Sequence, residues 1–326
     1  MRVVSLLPSA TEILASIGGE DLLVARSHEC DHPPHLPESL RVLTAQRDAP
    51  ESGVSPAGID ERVRTLRTQS LPLYTLDEDL LRELRPDLIL TQDLCDVCSI
   101  DLATVERVAA TMEPAPRVLA LNPTTIEGVF DDVLRVGSAV GLDRNARDLA
   151  VSLRNRMHAA AEHVNQFEEG PVVGFMEWTD PIYIAGHWTV QLIERAGGRH
   201  PLNETVARPG SGAAVGPQQA ERVAGRSIAV TPDIFTGVRP EAVVVCPCGV
   251  GLGDASSQAR SLLDQDWFCA LPAARAGRVA AVDGNQMFNR PGPRLVDAFE
   301  WLVGWLQNRP ELIPAGFPWE PIDTSG

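Results

Sequence analysis

The sequence predicts an α/β protein of two Rossmann-like lobes with mainly parallel sheets, joined by a single long α-helix. Three observations predict it. Short apolar runs alternate with amphipathic segments along most of the 326 residues, the order expected of strand–helix–strand units. Between Asp143 and Glu169, apolar side chains recur at Ala146, Leu149, Leu153, Met157, Ala160, Val164 and Phe167, which is one buried stripe at helical spacing. Beyond that stretch the opening pattern restarts. Strand, loop and helix closed by Gly18-Gly19 return as strand, loop and helix closed by Gly197-Gly198, and Leu84-Arg85-Pro86-Asp87-Leu88-Ile89-Leu90 is echoed by Val238-Arg239-Pro240-Glu241-Ala242-Val243-Val244. The expected division is an N-terminal lobe over 1–122, connecting helices over 123–169 with the long helix at 144–169, and a C-terminal lobe over 170–326 whose final helix packs back.

In chain order, Val3 to Leu7 reads as a strand, Thr11 to Ile17 as a helix, and Leu22 to Ala25 as a second strand. Arg26 to Pro34 is a loop, because paired prolines forbid helix and hold the preceding residue extended. Residues 36–58, punctuated by Pro37, Pro50, Gly53, Pro56 and Gly58, read as irregular. Helices over 59–69 and 77–84 flank a short strand at Leu73-Tyr74; a strand over 85–92, a helix from Leu102 to Thr111, a strand from Val118 to Leu121 and a helix from Pro123 to about Val140 follow. Asp143 can cap the long helix and Gly170-Pro171 stops it, for a length of roughly 40 Å. Val172 to Met176 then reads as a strand, Glu177 to His187 as a loop, and Trp188 to Ala196 as a helix. Trp301 and Trp305, four apart on the last helix, read as core.

Composition narrows the function. Net charge is −16, and all 28 cationic side chains are arginine. Without lysine there is no Schiff base and no phosphate-binding Gly-x-x-x-x-Gly-Lys loop, and without a basic patch a nucleic-acid partner is not expected. No hydrolase elbow occurs, so an enzyme is not indicated. No apolar run is long enough to span a bilayer, so membrane insertion is not expected. The Met1 start passes straight into a strand without the pattern of a secretory signal, and six cysteines in a chain of this length favour reduced thiols; both point to a cytoplasmic protein.

Strand ends in such a fold carry the ligand contacts. They deliver Ser9, the segment from His28 through Cys30 to Asp31, the segment 93–99 with Cys95, Asp96 and Cys98, then Trp178, Cys246-Pro247-Cys248, and the stretch from Asn285 to Arg290. Trp178, Trp188 and Phe288 are expected to supply apolar surface, and Ser9, His28, Gln286, Asn289 and Arg290 polar contacts. His187 precedes the helix of Trp188, from where it can cap, touch ligand or coordinate. Cys95-x-x-Cys98 has a spacing suited to a metal ion or a redox pair, with Cys30 and His28 as further members, while plain reduced thiols lining a cleft fit the same pattern.

Several of these stretches resemble the periplasmic-binding-protein family for vitamin B12 and iron chelates, in its cobalamin-binding branch with the class III solute-binding fold. Val4-Ser5-Leu6-Leu7-Pro8-Ser9-Ala10-Thr11-Glu12 looks like its opening strand and turn, and Val24 to Pro34 like its second strand and loop. Arg85-Pro86-Asp87-Leu88-Ile89 looks like its Pro-Asp strand, and Gly186 to Gly198 and Phe288 to Leu306 like helices of its second lobe. The resemblance implies a small-molecule ligand, cobalamin or a related corrinoid, heme or a siderophore, held between two lobes, and an ABC transporter permease as partner. It sets the two docking carboxylates of the carriers on Asp79 and Asp233. It also marks departures: an aromatic of the carriers falls on Ala45, their Asp-Trp pair falls on Gln286-Met287, and His28, Cys30, Cys95, Cys98 and Cys248 lie outside their usual pattern. The function expected is therefore non-catalytic binding of a corrinoid or other metal chelate, with a thiol-based metal or redox protein and a transporter-docking subunit as the alternatives.

Overall fold

Val3, Val4 and Ser5 are wholly buried, and the strand they form, β1 (Val3–Ser5), is the middle of the first sheet. The computed structural model describes residues 1–37, 39–47, 54–69, 72–93, 100–165, 167–208 and 221–325. They group into two compact units, residues 1–123 with 127–153 and residues 124–126 with 154–326.

In the first unit Pro8 opens α1 (Pro8–Ser16), where its missing N–H leaves no gap in the helix ladder. β2 (Leu23–Arg26), β3 (Arg41–Val42) and β4 (Thr44–Gln46) follow, then α2 (Pro56–Thr68), whose first turn is capped by Ser55. β5 (Tyr74–Leu76) precedes α3 (Glu78–Leu84), capped by Asp77; β6 (Leu88–Thr91) precedes α4 (Leu102–Ala109), capped by Asp101; β7 (Arg117–Ala120) comes last. The five-stranded sheet runs β3-β2-β1-β6-β7, parallel throughout, and β4 and β5 form a separate antiparallel pair. Both faces are covered, as a parallel sheet requires: Ile13, Leu14, Leu88, Leu90 and Val133 pack on one side, and Val4, Leu81, Ile89 and Val105 on the other. The stretch expected to be irregular over 36–58 thus holds β3, β4 and the start of α2.

α5 (Ile126–Val140) and α6 (Asp143–Ala161) come next. They approach closely at Gly137, where a Cβ would stand 2.2 Å from that of Ala146. α6 is the predicted long helix, but it is shorter: its 19 residues give about 28 Å. The His163 and Val164 amides bond three residues back, to Ala160 and Ala161, which tightens and ends the helix. Ala146, Leu153, Met157 and Ala160 are buried as the stripe requires, whereas Phe167 is 100% exposed beyond the helix end. The boundary between the units falls inside α6, between Leu153 and Arg154.

In the second unit β8 (Val173–Thr179) turns at Asp180-Pro181 into β9 (Ile182–Ile184), so the segment expected to be a loop is an antiparallel hairpin. α7 (His187–Arg195), β10 (Val206–Ala207), β11 (Arg222–Val223), β12 (Ile228–Val230) and α8 (Pro232–Gly237) lead to β13 (Ala242–Val245). α9 (Leu252–Ser261) and the single turns α10 (Asp266–Cys269) and α11 (Pro272–Arg275) precede β14 (Val279–Val282), and α12 (Leu295–Leu306) and β15 (Trp319–Pro321) close the chain. The sheet order is β12-β9-β8-β13-β14-β15. Only β8-β13 and β13-β14 pair parallel; the other three pairings are antiparallel, so this sheet is mixed rather than mainly parallel. Trp301 is wholly buried and stacks between Trp305 and Phe317, at 5.4 and 5.3 Å between ring centroids.

The internal echo has a physical basis. Asp87 Oδ2 accepts from the Arg2 amide at 2.6 Å while its own amide donates to Arg2 O at 2.8 Å. Glu241 does the same with Val172, its carboxylate accepting from the Val172 amide at 2.9 Å and its amide donating to Val172 O at 2.8 Å. Arg85 and Arg239, just before each proline, both adopt left-handed backbone, with φ of 44° and 53°. One local device therefore locks the first strand of each unit to its neighbour.

Candidate functional site

Ligands of open parallel sheets sit beyond the carboxyl ends of the strands, where strand order reverses. In the first unit the reversal lies between β1 and β6, and β2 ends beside it. His28 stands just behind β2. Its amide donates to Thr44 Oγ1 at 3.1 Å, its Nδ1 is hydrogen-bonded to the same oxygen at 2.7 Å, and Thr44 Oγ1 in turn donates to Ser27 Oγ at 2.9 Å. On the other side of the ring, Nε2 lies 3.2 Å from Glu29 Oε1, and one face meets Tyr74 at 5.3 Å. His28 is thereby fixed, with a quarter of its side chain exposed.

Two other expectations in this unit are corrected. Cys30 is 1% exposed; its Sγ lies 3.0 Å from Thr11 Oγ1, which is 2.8 Å from Ser5 Oγ, so the thiol is part of a buried hydrogen-bonded group and not a ligand contact. Ser9 is buried too, on α1. Cys95, Asp96 and Cys98 lie outside the described residues. Among the described residues, no three His, Cys, Asp or Glu side chains are gathered to hold a metal ion.

In the second unit the reversal falls between β8 and β13, next to Trp178 and Cys246-Pro247-Cys248. Cys248 is exposed, with its amide donating to Glu177 O at 3.1 Å. Cys246 is buried, and burial, with the Glu177 charge next, pushes its thiol well above the ordinary value. Trp178 is half-buried, its Nε1 donating to Asp180 O at 3.1 Å. His187, also half-buried, stacks on Trp188 at 5.6 Å and holds a left-handed φ of 49°, an uncommon backbone for this residue. Burial first, and the Arg226 charge second, hold its imidazole below the usual pKa, which favours the neutral ring. Segment 225–227 covers the start of α7: Gly225 O accepts from the His187 amide at 2.8 Å, and a Cβ on Gly186 would stand 2.3 Å from the Ser227 nitrogen. Glu177 secures this cover, accepting from the Gly186 amide at 3.3 Å and from the Ser227 hydroxyl.

The remaining predicted contacts turn inward. Phe288, 1% exposed, packs edge-on against Phe175 and Trp301, and its carbonyl accepts from Trp188 Nε1 at 2.6 Å. Both aromatics are thus packed into the core rather than standing exposed as expected. Asn289 Nδ2 donates to Cys246 O at 3.2 Å and Gly284 O at 2.9 Å, strapping the β13 and β14 loops together. Arg290 is buried, with a guanidinium N–H donating to Asn285 Oδ1 at 3.0 Å, and Gln286 Oε1 accepts from Arg294 at 2.8 Å. These contacts shape the loop from within. Asp79 and Asp233 are both exposed, at the second residue past the capping Asp77 and Thr231 of α3 and α8, and both stand six residues before the left-handed arginine of their lobe.

Sequence reasoning named the strand-end loops but missed Thr44, Glu177 and the role of Glu29. Thr44 was hidden in a stretch judged by its prolines and glycines. The available signal for both was position alone: Glu29 stands shortly after β2, and Glu177 lies near the carboxyl end of β8.

No described helix is long and apolar enough to cross a membrane. No curated protein sequence matches the chain. Solved structures do: the periplasmic heme-binding protein RhuT from Roseiflexus sp. RS-1 is 19% identical with a TM-score of 0.66, over 94% of this chain and 98% of that one. The periplasmic vitamin B12 binding protein BtuF of Vibrio cholerae is 18% identical with a TM-score of 0.63, over 95% and 98%. A periplasmic heme binding protein from Pseudomonas aeruginosa is 18% identical with a TM-score of 0.61, over 94% and 92%. At these identities the likeness is one of fold. Residues 3–285 match the family model described as periplasmic binding protein, and it is to this family of solute-binding proteins that the chain belongs.

Proposed function

We propose that the chain is a non-catalytic binding protein that holds a corrinoid or a related metal chelate and passes it to the permease of an ABC transporter. The observation that carries this reading is the placement of the accessible candidates. His28 and Glu29 in one unit, and Trp178 and Cys248 in the other, lie at or just beyond the carboxyl ends of the parallel strands β2, β8 and β13, where this class of sheet takes its ligands, and His187 opens α7 in the same unit as Trp178. A half-buried indole and a neutral imidazole suit a large, mostly apolar macrocycle, and structural relatives that bind heme and vitamin B12 support the same class. The paired positions of Asp79 and Asp233 on corresponding helices support docking to a permease. Members of the family are periplasmic binding proteins, which gives no support to the cytoplasmic placement expected from the sequence. Titrating the purified protein with cyanocobalamin, hemin and a ferric siderophore, read by visible absorbance, is expected to show saturable binding of one of them. Failure of all three to bind more tightly than ~100 μM overturns the reading.

A further inference from the structure

We propose that the first unit holds an anionic group of the ligand, a carboxylate or a phosphate ester, at the start of α1, between the Arg26 guanidinium and the Gln92 carboxamide. This rests on the binding function proposed above and deepens it. The start of α1 lacks the partners that a helix end requires. Pro8 has no N–H, no side chain caps the helix, and the amides of Ser9 and Ala10 have no acceptor among the described residues, although both residues are buried. Unpaired amides at the positive end of a helix dipole favour an anion, and the first turn carries no acid to oppose one.

The two side chains are placed by the sheet. β2 and β6 flank β1, with Arg26 and Leu90 on either side of Ser5. Leu7, Leu88 and Leu90 pack with Ala10, Ile13 and Leu14 on the face that α1 covers. Side chains alternate along a strand, and laterally paired residues share a face, so Arg26 and Gln92 also stand on the α1 face, one on each side of the strand that leads into the helix. Contacts on the Arg26 side agree: its guanidinium donates to Cys30 O, and Cys30 Sγ lies 3.0 Å from Thr11 Oγ1, on the first turn of α1. Arg26 is half-buried, its Nε is enclosed without a partner, and among the described residues no carboxylate pairs with it, in a chain of 44 acidic residues against 28 arginines. Gln92 is 5% exposed, and its carboxamide has no partner among the described residues. Such groups are costly to enclose unpaired, and one anion between them accepts from both and from the helix amides.

The test uses two matched pairs, which separate carboxylate from phosphate: hemin against its dimethyl ester, and cyanocobalamin against dicyanocobinamide, which lacks the phosphodiester. Wild-type protein is expected to prefer the acid member of one pair by about tenfold or more. Arg26→Gln is expected to reduce that ratio at least about fivefold while affinity for the neutral member stays within about twofold. Gln92→Leu, which keeps the volume and removes the donor, is expected to reduce the ratio about two- to fivefold; it is also the readout if Arg26→Gln fails to give a cooperative melt. Wild-type ratios near one in both pairs, or ratios unchanged in the folded variants, overturn the proposal while leaving the binding function standing. If neither pair binds, the chelate reading has failed instead, and the site is read with acetate and inorganic phosphate alone. One of them is then expected to raise the melting temperature of wild type above that in chloride of equal ionic strength, and to do so less in Arg26→Gln. An equal response of the two proteins overturns the proposal as well.

Discussion

At the scale of single residues, Asp132 shows how burial becomes pH dependence. It lies on α5 between Val129 and Val136, both wholly buried, and its Oδ2 has no hydrogen-bond partner while Oδ1 pairs with Arg135 at 2.6 Å. Burial, the largest effect and only partly opposed by Arg135, pushes the carboxyl from 3.8 up to about 6. The folded state therefore holds this proton more tightly than the unfolded chain. The resulting stability is complete below pH 3.8 and is lost as the pH rises through 6, a total of at most about 3 kcal/mol. Asp132→Asn is expected to shrink the stability difference between pH 5 and pH 7.5 by about 1 kcal/mol, measured by urea unfolding. A difference equal to that of wild type would show that Asp132 does not titrate in this range. The same scale accounts for the inward turn of Phe288: its ring packs edge-on against Phe175 and Trp301, and burying an aromatic of this size is stabilising.

Among the elements, the Asp87 and Glu241 clamps matter most. Each side chain satisfies a backbone amide at the entry of its unit's first strand, an amide that has no partner within the ladder. Asp87→Ala and Glu241→Ala are each expected to cost about 1 kcal/mol, seen as a lower urea midpoint with an unchanged slope. A midpoint equal to that of wild type in both variants would reduce the echo between the two Arg-Pro-acid stretches to a coincidence of spelling. The loops at the carboxyl ends follow another rule. The β13 and β14 loops are tied together by Asn289, and the start of α7 is closed over by Gly225 O, so what these loops offer a ligand is a few side chains on a stiff frame.

On the scale of the whole molecule, the correspondence between positions in the two units gives the docking proposal its form. Asp79 and Asp233 sit at corresponding places on α3 and α8, and the Asp79 side chain is 101% exposed, 3.2 Å from Arg82. Exposed charges of this kind steer association and contribute little to the fold. The double variant Asp79→Arg with Asp233→Arg is expected to keep its ligand affinity within about twofold while transporter-dependent uptake falls about tenfold or more. Uptake at the wild-type rate would dismiss the docking role.

The sequence by itself determined the alternation of strands and helices, the two-unit plan and the parallel first sheet. Local signals carry these features: apolar runs such as Leu88-Ile89-Leu90, caps such as Asp77 and Asp101, and the glycine pairs that close α1 and α7. Ligand-edge loops were legible as places, because they follow from strand direction. What those loops do was decided by tertiary structure. Trp188 and Phe288 look like a binding surface until the aromatic core behind them is seen, Cys30 looks like a metal ligand until Thr11 is found beside it, and α6 stops at Ala161 because its last amides find nearer carbonyls. Thr44 acquires its role only when the fold brings it to the His28 imidazole from a separate strand. Backbone pattern is a short-range property and can be read along the chain. Which polar and aromatic side chains remain available to a ligand depends on partners supplied by distant segments, and that is settled only by folding.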